Sequence, residues 1–491
     1  MKRFIILNVR KDVPGFLPIE ECFLAEALTE QGAKDIEIRS VLPDELEACA
    51  EDIAGMAPDK TCVILWESAS YKSCQTLLEY FQLADAIRRR SDVRLASGGY
   101  WASTLVDHYP ERFQPFDIIV SGSDLRKAAE AFCTDKPGKG VEEVRDANGI
   151  CDWNAWPLNL SRVSTPEKYI GNGYVSGYRT TFGCPMNCSF CYNNMLQDQG
   201  ARYSERDLEK IRQDVEHILE VYGDTPLQLK DRNFFFNKER AFAIMDMLRS
   251  MGVRLASNLD VTVRDADEEI FKKCVETGVS NLFFGLESFH EDSLRRFNKK
   301  YSVEKLEYLF QLGETYEITL TGCLLLGLPW QTRDSIQEDV RKACGYMDRF
   351  KMLRINLNNY HPLMETALQK QYFPDVASTI TLEELSDIYN FRMNAALQNK
   401  LYGPSFDDLN FEKLRSHALA LNSISLLEHY HIPEALHPLF APIRSLIQDN
   451  VMRSNEDNAL NRYLTPEKIV ETRRSLTRIS LEIKKIMGGF E

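Results

Sequence analysis

The chain has 491 residues, and its 44% hydrophobic and 27% charged residues are typical of a folded globular protein. Lys and Arg number 59 against 73 Asp and Glu, a net charge of −14, which argues against nucleic acid as the main partner because phosphate binding needs a basic surface. No apolar run approaches the ~18 residues of a membrane span, so we expect no transmembrane segment.

The twelve cysteines lack the dense, regular spacing of a small secreted scaffold. The first apolar stretch, residues 4–7, is too short for the core of a signal peptide and suits a β-strand. We therefore expect a cytoplasmic protein whose thiols pack, ligate metal or react.

Strand and helix patterns alternate over residues 1–133, which predicts a Rossmann-like, doubly wound parallel sheet. Strands are expected at 3–9, 36–39, 62–66, 93–96 and 116–120, and helices at 18–31, 45–54, 73–90 and 102–108. In such sheets ligands bind beyond the carboxyl ends of the strands. Those ends carry Ser68, Ser70, Ser97, Gly98, Gly99, Tyr100, Ser121 and Gly122.

The alternation breaks over residues 134–173, which we interpret as a linker that packs through Trp153 and Trp156. It resumes over residues 174–374 with six β/α units, an incomplete version of the eight-unit barrel. The predicted strands are 174–182, 227–230, 253–257, 281–286, 318–326 and 353–358, and the helices 205–222, 238–251, 268–277, 303–317 and 332–349. Residues 375–491 are predicted to form a helical domain, with helices at 382–398, 412–429 and 466–487.

Cys184, Cys188 and Cys191 lie within eight residues, in a loop directly after the first predicted barrel strand. A loop can wrap three sulfurs around one metal centre, whereas a strand or helix at this spacing does not aim all three inward. A structural zinc site needs four ligands, and no fourth Cys or His lies within twenty residues. Three thiolates on a four-iron cluster would leave one iron open for a ligand. Zinc and a chance grouping remain the alternatives.

This Cys-x3-Cys-x2-Cys spacing, with the aromatic Phe190 before the last cysteine, resembles the signature of the radical S-adenosylmethionine (SAM) superfamily. The resemblance implies one [4Fe–4S] cluster on the three cysteines, an open iron that chelates SAM, and cleavage of SAM to a 5′-deoxyadenosyl radical. It also implies an electron donor such as flavodoxin or ferredoxin.

Residues 229–235, 284–288 and 321–332 are similar to later strand ends of that superfamily. Trp330 and Gln331 stand where its fifth-strand pattern has Gly and Glu, which puts a carboxylate role there in doubt. The resemblance implies SAM-binding roles for Phe190, Tyr192, Asp231, Arg264, Glu287, Ser288 and Leu326.

A doubly wound domain before such a barrel resembles the cobalamin-binding subclass of the superfamily. Residues 97–102 are similar to its Gly-Gly-x-x-Ala/Pro loop and residues 116–122 to its Asp-x-Val-Val-x-Gly strand. The Asp-x-His-x-x-Gly loop that supplies a lower axial histidine in other cobalamin proteins is missing, and His108 is the only histidine before residue 200. The resemblance implies a cobalamin site at Ser68, Ser70, Ser97, Gly98, Gly99, Tyr100, Ser121 and Gly122.

The main functional hypothesis is a cobalamin-dependent radical SAM methyltransferase that acts on an unactivated carbon of a small molecule, lipid or peptide. One alternative is a radical SAM enzyme without functional cobalamin that catalyses a cyclisation, rearrangement or lyase reaction. Another is a non-enzymatic iron–sulfur redox or binding protein.

Overall fold

A computed structural model describes residues 2–11, 16–67, 75–122, 124–134, 142–145, 152–171, 173–192, 203–256, 259–390 and 395–402. The chain forms two compact units. The first unit comprises Met1–Val261, Glu276–Val279 and His361–Arg392, and the second comprises Thr262–Val275, Ser280–Tyr360 and Met393–Glu491.

The first unit begins with a six-stranded sheet in the order β2-β1-β3-β4-β5-β6, whose paired strands are all parallel. We call it the first sheet. Its strands are β1 (Arg3–Val9), β2 (Asp35–Val41), β3 (Thr61–Glu67), β4 (Arg94–Gly99), β5 (Ile118–Ser121) and β6 (Glu142–Arg145). Helices Ile19–Glu30, Leu46–Ala54, Leu77–Arg90, Tyr100–Leu105 and Leu125–Cys133 alternate with them. The predicted doubly wound fold is confirmed.

The central strand β3 explains why the sheet lies in the core of the fold. All seven of its residues are buried, as its continuous apolar run predicts for a strand covered by helices on both faces. Val93, Leu95 and Ala96 continue this core around the next strand.

The segment before the barrel contains a strand, β6, that the sequence pattern did not indicate. Residues 142–145 pair parallel with β5 and extend the sheet by a sixth strand. Their sequence, EEVR, has no apolar run, because an edge strand has only one neighbour and little of it needs to be apolar.

The predicted packing through the two tryptophans of this segment is confirmed. Trp153 and Trp156 are buried, and the Trp153 ring lies 5.1 Å from that of Phe23. The buried guanidinium of Arg206 donates to the carbonyl oxygens of both tryptophans and pairs with Asp214. This buried ion pair joins the segment to the barrel.

The first unit also holds the first strands of the barrel. They are β7 (Ile170–Gly171), β8 (Tyr174–Tyr178), β9 (Thr181–Phe182), β10 (Ser204–Glu205), β11 (Leu227–Leu229) and β12 (Leu259–Val261), with helices Leu208–Tyr222 and Lys238–Ser250. Strand β8 pairs parallel with β11 and antiparallel with β7. The strand predicted at 253–257 differs in position: among its described residues, 253–256, Leu255 bridges to Leu227, and the regular strand is Leu259–Val261.

The second unit carries three parallel strands, β13 (Asn281–Glu287), β14 (Thr319–Leu326) and β15 (Leu353–Asn359). The helices of this part of the chain are Glu268–Thr277, Glu291–Arg296, Val303–Tyr316 and Arg333–Arg349. Strand β13 alternates buried and half-buried residues before it ends in the buried Glu287.

After β15 the described chain is helical, at Ala367–Tyr372, Val376–Thr379, Leu382–Tyr389 and Ala395–Tyr402. The single helix predicted at 382–398 is wrong in extent, because the helix that begins at Leu382 ends at Tyr389. The helices predicted at 412–429 and 466–487 lie outside the described residues.

Candidate active site

The three cysteines lie in residues 183–192, which we call the cysteine loop. The loop begins at Gly183, whose φ of 70° is a left-handed conformation that glycine adopts without steric cost. Cys184 and Cys188 are buried and Cys191 is half-buried, and the Cys191 amide donates to the Cys188 carbonyl at 3.0 Å. The loop therefore brings all three thiols into one turn-rich segment at the carboxyl end of the first barrel strands.

Asp231 anchors the chain just before the cysteine loop. Its buried carboxylate accepts hydrogen bonds from the amides of Thr180 and Thr181, at 2.8 and 2.6 Å, and from both of their hydroxyls. Burial raises the pKa of Asp231, and these hydrogen bonds oppose that rise. The sequence predicts contact with SAM for this residue, and the structure gives it four bonds within the protein.

Arg240 supports the same segment and was missed by the sequence analysis. It extends from the helix Lys238–Ser250 and donates to the carbonyl oxygens of Thr180 at 2.8 Å and Arg206 at 2.7 Å. Nothing in its local sequence distinguishes it from a surface arginine, because its partners are backbone atoms distant in the chain.

Phe190 and Tyr192 lie where the sequence predicts, inside the cysteine loop. Phe190 is half-buried and Tyr192 is buried, and the Arg232 guanidinium lies 5.0 Å above the Tyr192 ring. This cation–π contact holds a positive charge beside the residue that follows Cys191.

In the second unit, Glu287 is held in a constrained position at the end of β13. Its φ of 57° is rare for a residue other than glycine and marks a site where surrounding contacts impose the conformation. Its carboxylate pairs with the Lys299 ammonium at 3.0 Å, and both side chains are almost fully buried. The Tyr301 hydroxyl donates to the carbonyl oxygens of Gly285 and Leu286, at 3.0 and 2.6 Å. The Glu287 carboxylate is therefore fixed in position, and the Lys299 ammonium balances its charge.

The other predicted SAM residues of this unit lie at or near strand ends. Ser288 is buried directly after Glu287, and its hydroxyl accepts a hydrogen bond from the His290 amide at 3.1 Å. Leu326 is buried at the end of β14. Arg264 pairs with its neighbour Asp265, at 2.6 Å, so its guanidinium already has a carboxylate partner within the protein.

The two residues that replace the family's Gly and Glu brace the turn after β14. The Trp330 indole donates to the Ser293 hydroxyl at 2.9 Å. The side-chain oxygen of Gln331 accepts a hydrogen bond from the backbone amide of Leu328 at 3.0 Å, and its side-chain NH2 group donates to the buried Asp339 carboxylate at 2.9 Å. Burial raises the pKa of Asp339 to about 6, although His290 lies 3.1 Å away. The turn is retained without the usual carboxylate.

In the first domain, six residues lie at the carboxyl ends of β4 and β5, and all but Tyr100 are small. We call them the first-sheet edge: Ser97, Gly98, Gly99, Tyr100, Ser121 and Gly122. A Cβ atom on Gly98 would overlap the Trp66 ring, and one on Gly99, at φ 81°, would overlap the Glu67 backbone. Packing against β3 therefore requires both glycines. Ser68 and Ser70 lie outside the described residues.

Hydrogen bonds connect the first-sheet edge internally. The Gly122 amide donates to the Ser103 hydroxyl at 2.9 Å, and that hydroxyl donates to the Gly99 carbonyl at 2.7 Å. The Ser97 hydroxyl lies 2.7 Å from that of Tyr80. His108 follows the helix Tyr100–Leu105 in a turn and bonds the Glu365 carboxylate at 2.7 Å.

The donor chemistry of each region bears on which cofactor would fit. The cysteine loop offers three thiols and no oxygen donor among Cys184, Cys188 and Cys191, which suits an iron–sulfur cluster. The first-sheet edge offers backbone and hydroxyl groups as hydrogen-bonding partners. No three His, Cys, Asp or Glu side chains within the described ranges converge as ligands of a single metal ion.

Comparisons with known proteins identify the barrel. Residues 178–343 match the model of the Radical SAM superfamily. A curated relative, bacteriochlorophyllide d C-8(2)-methyltransferase of Chlorobaculum tepidum, is 25% identical over 307 residues, 59% of this chain and 66% of that protein. The chain spans about a third to two thirds of the length of the curated relatives it matches.

Two solved structures share the fold over most of the chain. The radical SAM methyltransferase TsrM of Kitasatospora setae gives a TM-score of 0.58 at 15% identity, covering 97% of this chain and all of that chain (100%). The cobalamin-dependent SAM radical enzyme OxsB gives a TM-score of 0.60 at 13% identity, covering 99% of this chain and 75% of that chain. The predicted order of a Rossmann-like domain followed by a radical SAM barrel is confirmed.

Every helix in the described ranges is too short or too polar to cross a bilayer. None of the nine cysteines that the structure describes forms a disulfide.

Proposed function

We propose that this protein is a cobalamin-dependent radical SAM methyltransferase acting on an unactivated carbon. The observation that carries the proposal is the pairing, within one compact unit, of a three-thiol loop and a complete doubly wound domain with a glycine-lined edge. The match to the Radical SAM superfamily and the methyltransferase names of the curated relatives support it.

The cofactors proposed are one [4Fe–4S] cluster, SAM and cobalamin, as in the TsrM and OxsB structures that share this fold. When bound, they would supply a carbon-centred radical that removes a hydrogen atom and a methyl group that replaces it. Cys184, Cys188 and Cys191 would hold three irons of the cluster. The first-sheet edge would hold cobalamin.

The chain's own residues supply position and charge. Asp231 and Arg240 hold the segment that leads into the cysteine loop, so the thiols do not need to be ordered by the cofactor. Glu287, neutralised by Lys299, presents a carboxylate of fixed direction that suits the ribose hydroxyls or amino group of SAM. Burial of both side chains strengthens such a contact, because little water competes for it.

The partners proposed are a small-molecule, lipid or peptide substrate and an electron donor such as flavodoxin or ferredoxin. The net charge of −14 disfavours a nucleic-acid substrate. Cytoplasmic localisation is proposed because the barrel's thiols need a reducing compartment to remain available for iron.

Anaerobic reconstitution tests the proposal. The protein is supplied with iron, sulfide and hydroxocobalamin, desalted, and assayed for bound iron, sulfide and cobalt and for reductive cleavage of SAM to 5′-deoxyadenosine. We expect one four-iron cluster, about one cobalt per chain and SAM cleavage. Cleavage without bound cobalt would favour the radical SAM enzyme that lacks cobalamin. A cluster without cleavage would favour the non-enzymatic iron–sulfur protein.

A further inference from the structure

Four buried aromatic side chains meet between the first-sheet edge and the cysteine loop, inside the first unit. We call them the aromatic cluster: Tyr100, Trp101, Tyr192 and Tyr389. The Tyr100 ring contacts those of Trp101, Tyr192 and Tyr389 edge-on, with centroids 4.9, 5.9 and 6.5 Å away. Tyr389 also contacts Trp101 at 5.2 Å. Such edge-to-face pairs are directional, so a shift of one ring affects the others.

Two members of this cluster are the immediate neighbours of proposed cofactor ligands. Tyr100 follows Gly99, whose left-handed backbone fixes where the next residue begins. Tyr192 follows Cys191. One ring therefore belongs to the first-sheet edge itself, and another lies one residue from a cluster thiol.

A separate set of contacts holds the first domain on the strand that leads into the cysteine loop. The Leu17 amide donates to the Ser176 carbonyl at 3.0 Å. Arg179 and Glu20 form a buried ion pair at 2.8 Å. These contacts join the first domain to the chain that leads into the cysteine loop independently of the Tyr100–Tyr192 contact.

Tyr192 is held from its other face as well. The Arg232 guanidinium stacks on its ring, and its hydroxyl is buried without a hydrogen-bond partner in the described part of the chain. The Tyr100 and Tyr389 hydroxyls lie 3.4 Å apart, a weak contact at most. The contact between the first-sheet edge and the cysteine loop at Tyr100 and Tyr192 is therefore made by packing of the rings and not by a hydrogen bond between their hydroxyls.

We propose that Tyr100 is a positioning residue that couples the two cofactor sites through Tyr192. A ligand at the first-sheet edge fixes the position of the Tyr100 ring. Through its contact with Tyr192, that ring fixes the position of the Cys191–Tyr192 segment. Thermodynamic linkage makes this coupling reciprocal. If bound cobalamin raises the affinity of the protein for the cluster by some factor, a bound cluster raises the affinity for cobalamin by the same factor. This inference rests on the proposed function, since it needs both cofactors.

The coupling is measured without turnover. Hydroxocobalamin is titrated anaerobically into cluster-free and cluster-containing protein, and the ratio of the two dissociation constants is the coupling factor. We expect at least about a fivefold ratio in the wild-type protein, the lower end of known couplings. In Tyr100→Leu we expect a ratio near one, and in Tyr100→Phe, which keeps the ring, the wild-type ratio. The EPR spectrum of the reduced cluster should change on cobalamin addition only in proteins that keep the ratio.

Phe113→Leu is the matched control. Phe113 is as buried as Tyr100 and packs at 5.2 Å against Phe81, before β5 and away from the first-sheet edge. Phe113→Leu should keep the wild-type ratio of dissociation constants. If the ratio fell because the domain was generally destabilised, it would fall in this variant as well. Tyr192→Leu approaches the contact from the other loop and should also give a ratio near one.

A wild-type ratio of one, or a wild-type ratio in Tyr100→Leu, would overturn the coupling while leaving the proposed function intact. Absence of cobalamin binding by wild-type protein would instead overturn the cobalamin part of the proposed function. If Tyr100→Leu does not fold, Tyr192→Leu decides the question alone.

Discussion

The first-sheet edge and the cysteine loop both follow the carboxyl ends of strands, yet they are built in opposite ways. The cysteine loop depends on side chains that are present: three thiols, with Asp231 and Arg240 behind them. The first-sheet edge depends on side chains that are missing, because Gly98 and Gly99 leave no room for a Cβ.

This difference predicts how each region fails. Removing a functional group from the cysteine loop should abolish one cofactor while the fold survives. Adding a group to the first-sheet edge should damage packing and ligand binding together, since the glycines face the protein's own core. The following substitutions test that contrast.

The largest effect is expected for Cys188→Ala. With two thiols left, the loop should retain little iron after anaerobic reconstitution, and SAM cleavage should fall to background, while the thermal midpoint of the cluster-free protein stays near that of wild type. Iron and sulfide per chain and 5′-deoxyadenosine formation are the measurements. Cys323→Ala, within β14, is the matched control and should retain full iron. A full complement of iron in Cys188→Ala would contradict the assignment of the three thiols as cluster ligands. One zinc per chain in the wild-type protein would show that the site binds a structural metal and not an iron–sulfur cluster.

Gly99→Ala should be the most damaging change at the first-sheet edge. Its left-handed backbone costs an alanine about 1–2 kcal/mol, and overlap with the Glu67 backbone adds about 1–3 kcal/mol more. Gly32→Ala is the control, because Gly32 has φ 89° and open space where a Cβ would stand. Urea unfolding and cobalt retention measure both variants. Equal losses would show that the Glu67 contact does not matter.

Asp231→Asn tests the anchor behind the cysteine loop. Three of the four hydrogen bonds end on Oδ1 of Asp231 and the fourth, from the Thr180 hydroxyl, ends on Oδ2. The amide replaces one of these acceptors by an NH2 group and removes the negative charge that strengthens the other bonds, at a cost of about 1–3 kcal/mol. We expect lower stability and slower iron uptake. Asp246→Asn, on the exposed side of the helix Lys238–Ser250, should change neither. Wild-type iron uptake in Asp231→Asn would show that the loop orders itself.

The last prediction is a pH dependence in the first domain. Burial raises the pKa of Glu21 to about 7, against the attraction of Arg10. The pKa of Glu21 in the folded state lies above the unfolded value of 4.5. Its contribution to the stability of the folded state is therefore fully present below pH 4.5 and is lost as pH rises through about 7. At roughly 1.36 kcal/mol per pKa unit, the loss of stability is about 3 kcal/mol.

Glu21→Gln should therefore flatten the fall in thermal midpoint between about pH 5 and pH 8. Glu51→Gln, exposed on the helix Leu46–Ala54, should leave that fall as it is in wild type. An unchanged slope in Glu21→Gln would assign the pH dependence to other groups.

Much of the fold was predictable because its strands carry unambiguous patterns. Strand β1 has the predicted bounds, and β3 extends its predicted apolar run by one residue at each end. The failures share a cause. Strand β6 is polar at the edge of a sheet, and the strand predicted at 253–257 begins later, at Leu259, so in both cases tertiary pairing rather than local sequence decided the result.

The amino-acid sequence alone determined the chemistry on offer: three thiols at a spacing that resembles one superfamily, a Gly-x-Glu-Ser strand end, and glycines at a strand end of the first domain. These are local patterns within a few residues of one another, so they can be recognised without a fold. Only the tertiary structure decided that Asp231 anchors a loop, that Arg240 supports it and that Tyr100 touches Tyr192. Those contacts join residues about 50 to 90 positions apart, and no local pattern encodes which distant partner a buried polar or aromatic group will meet.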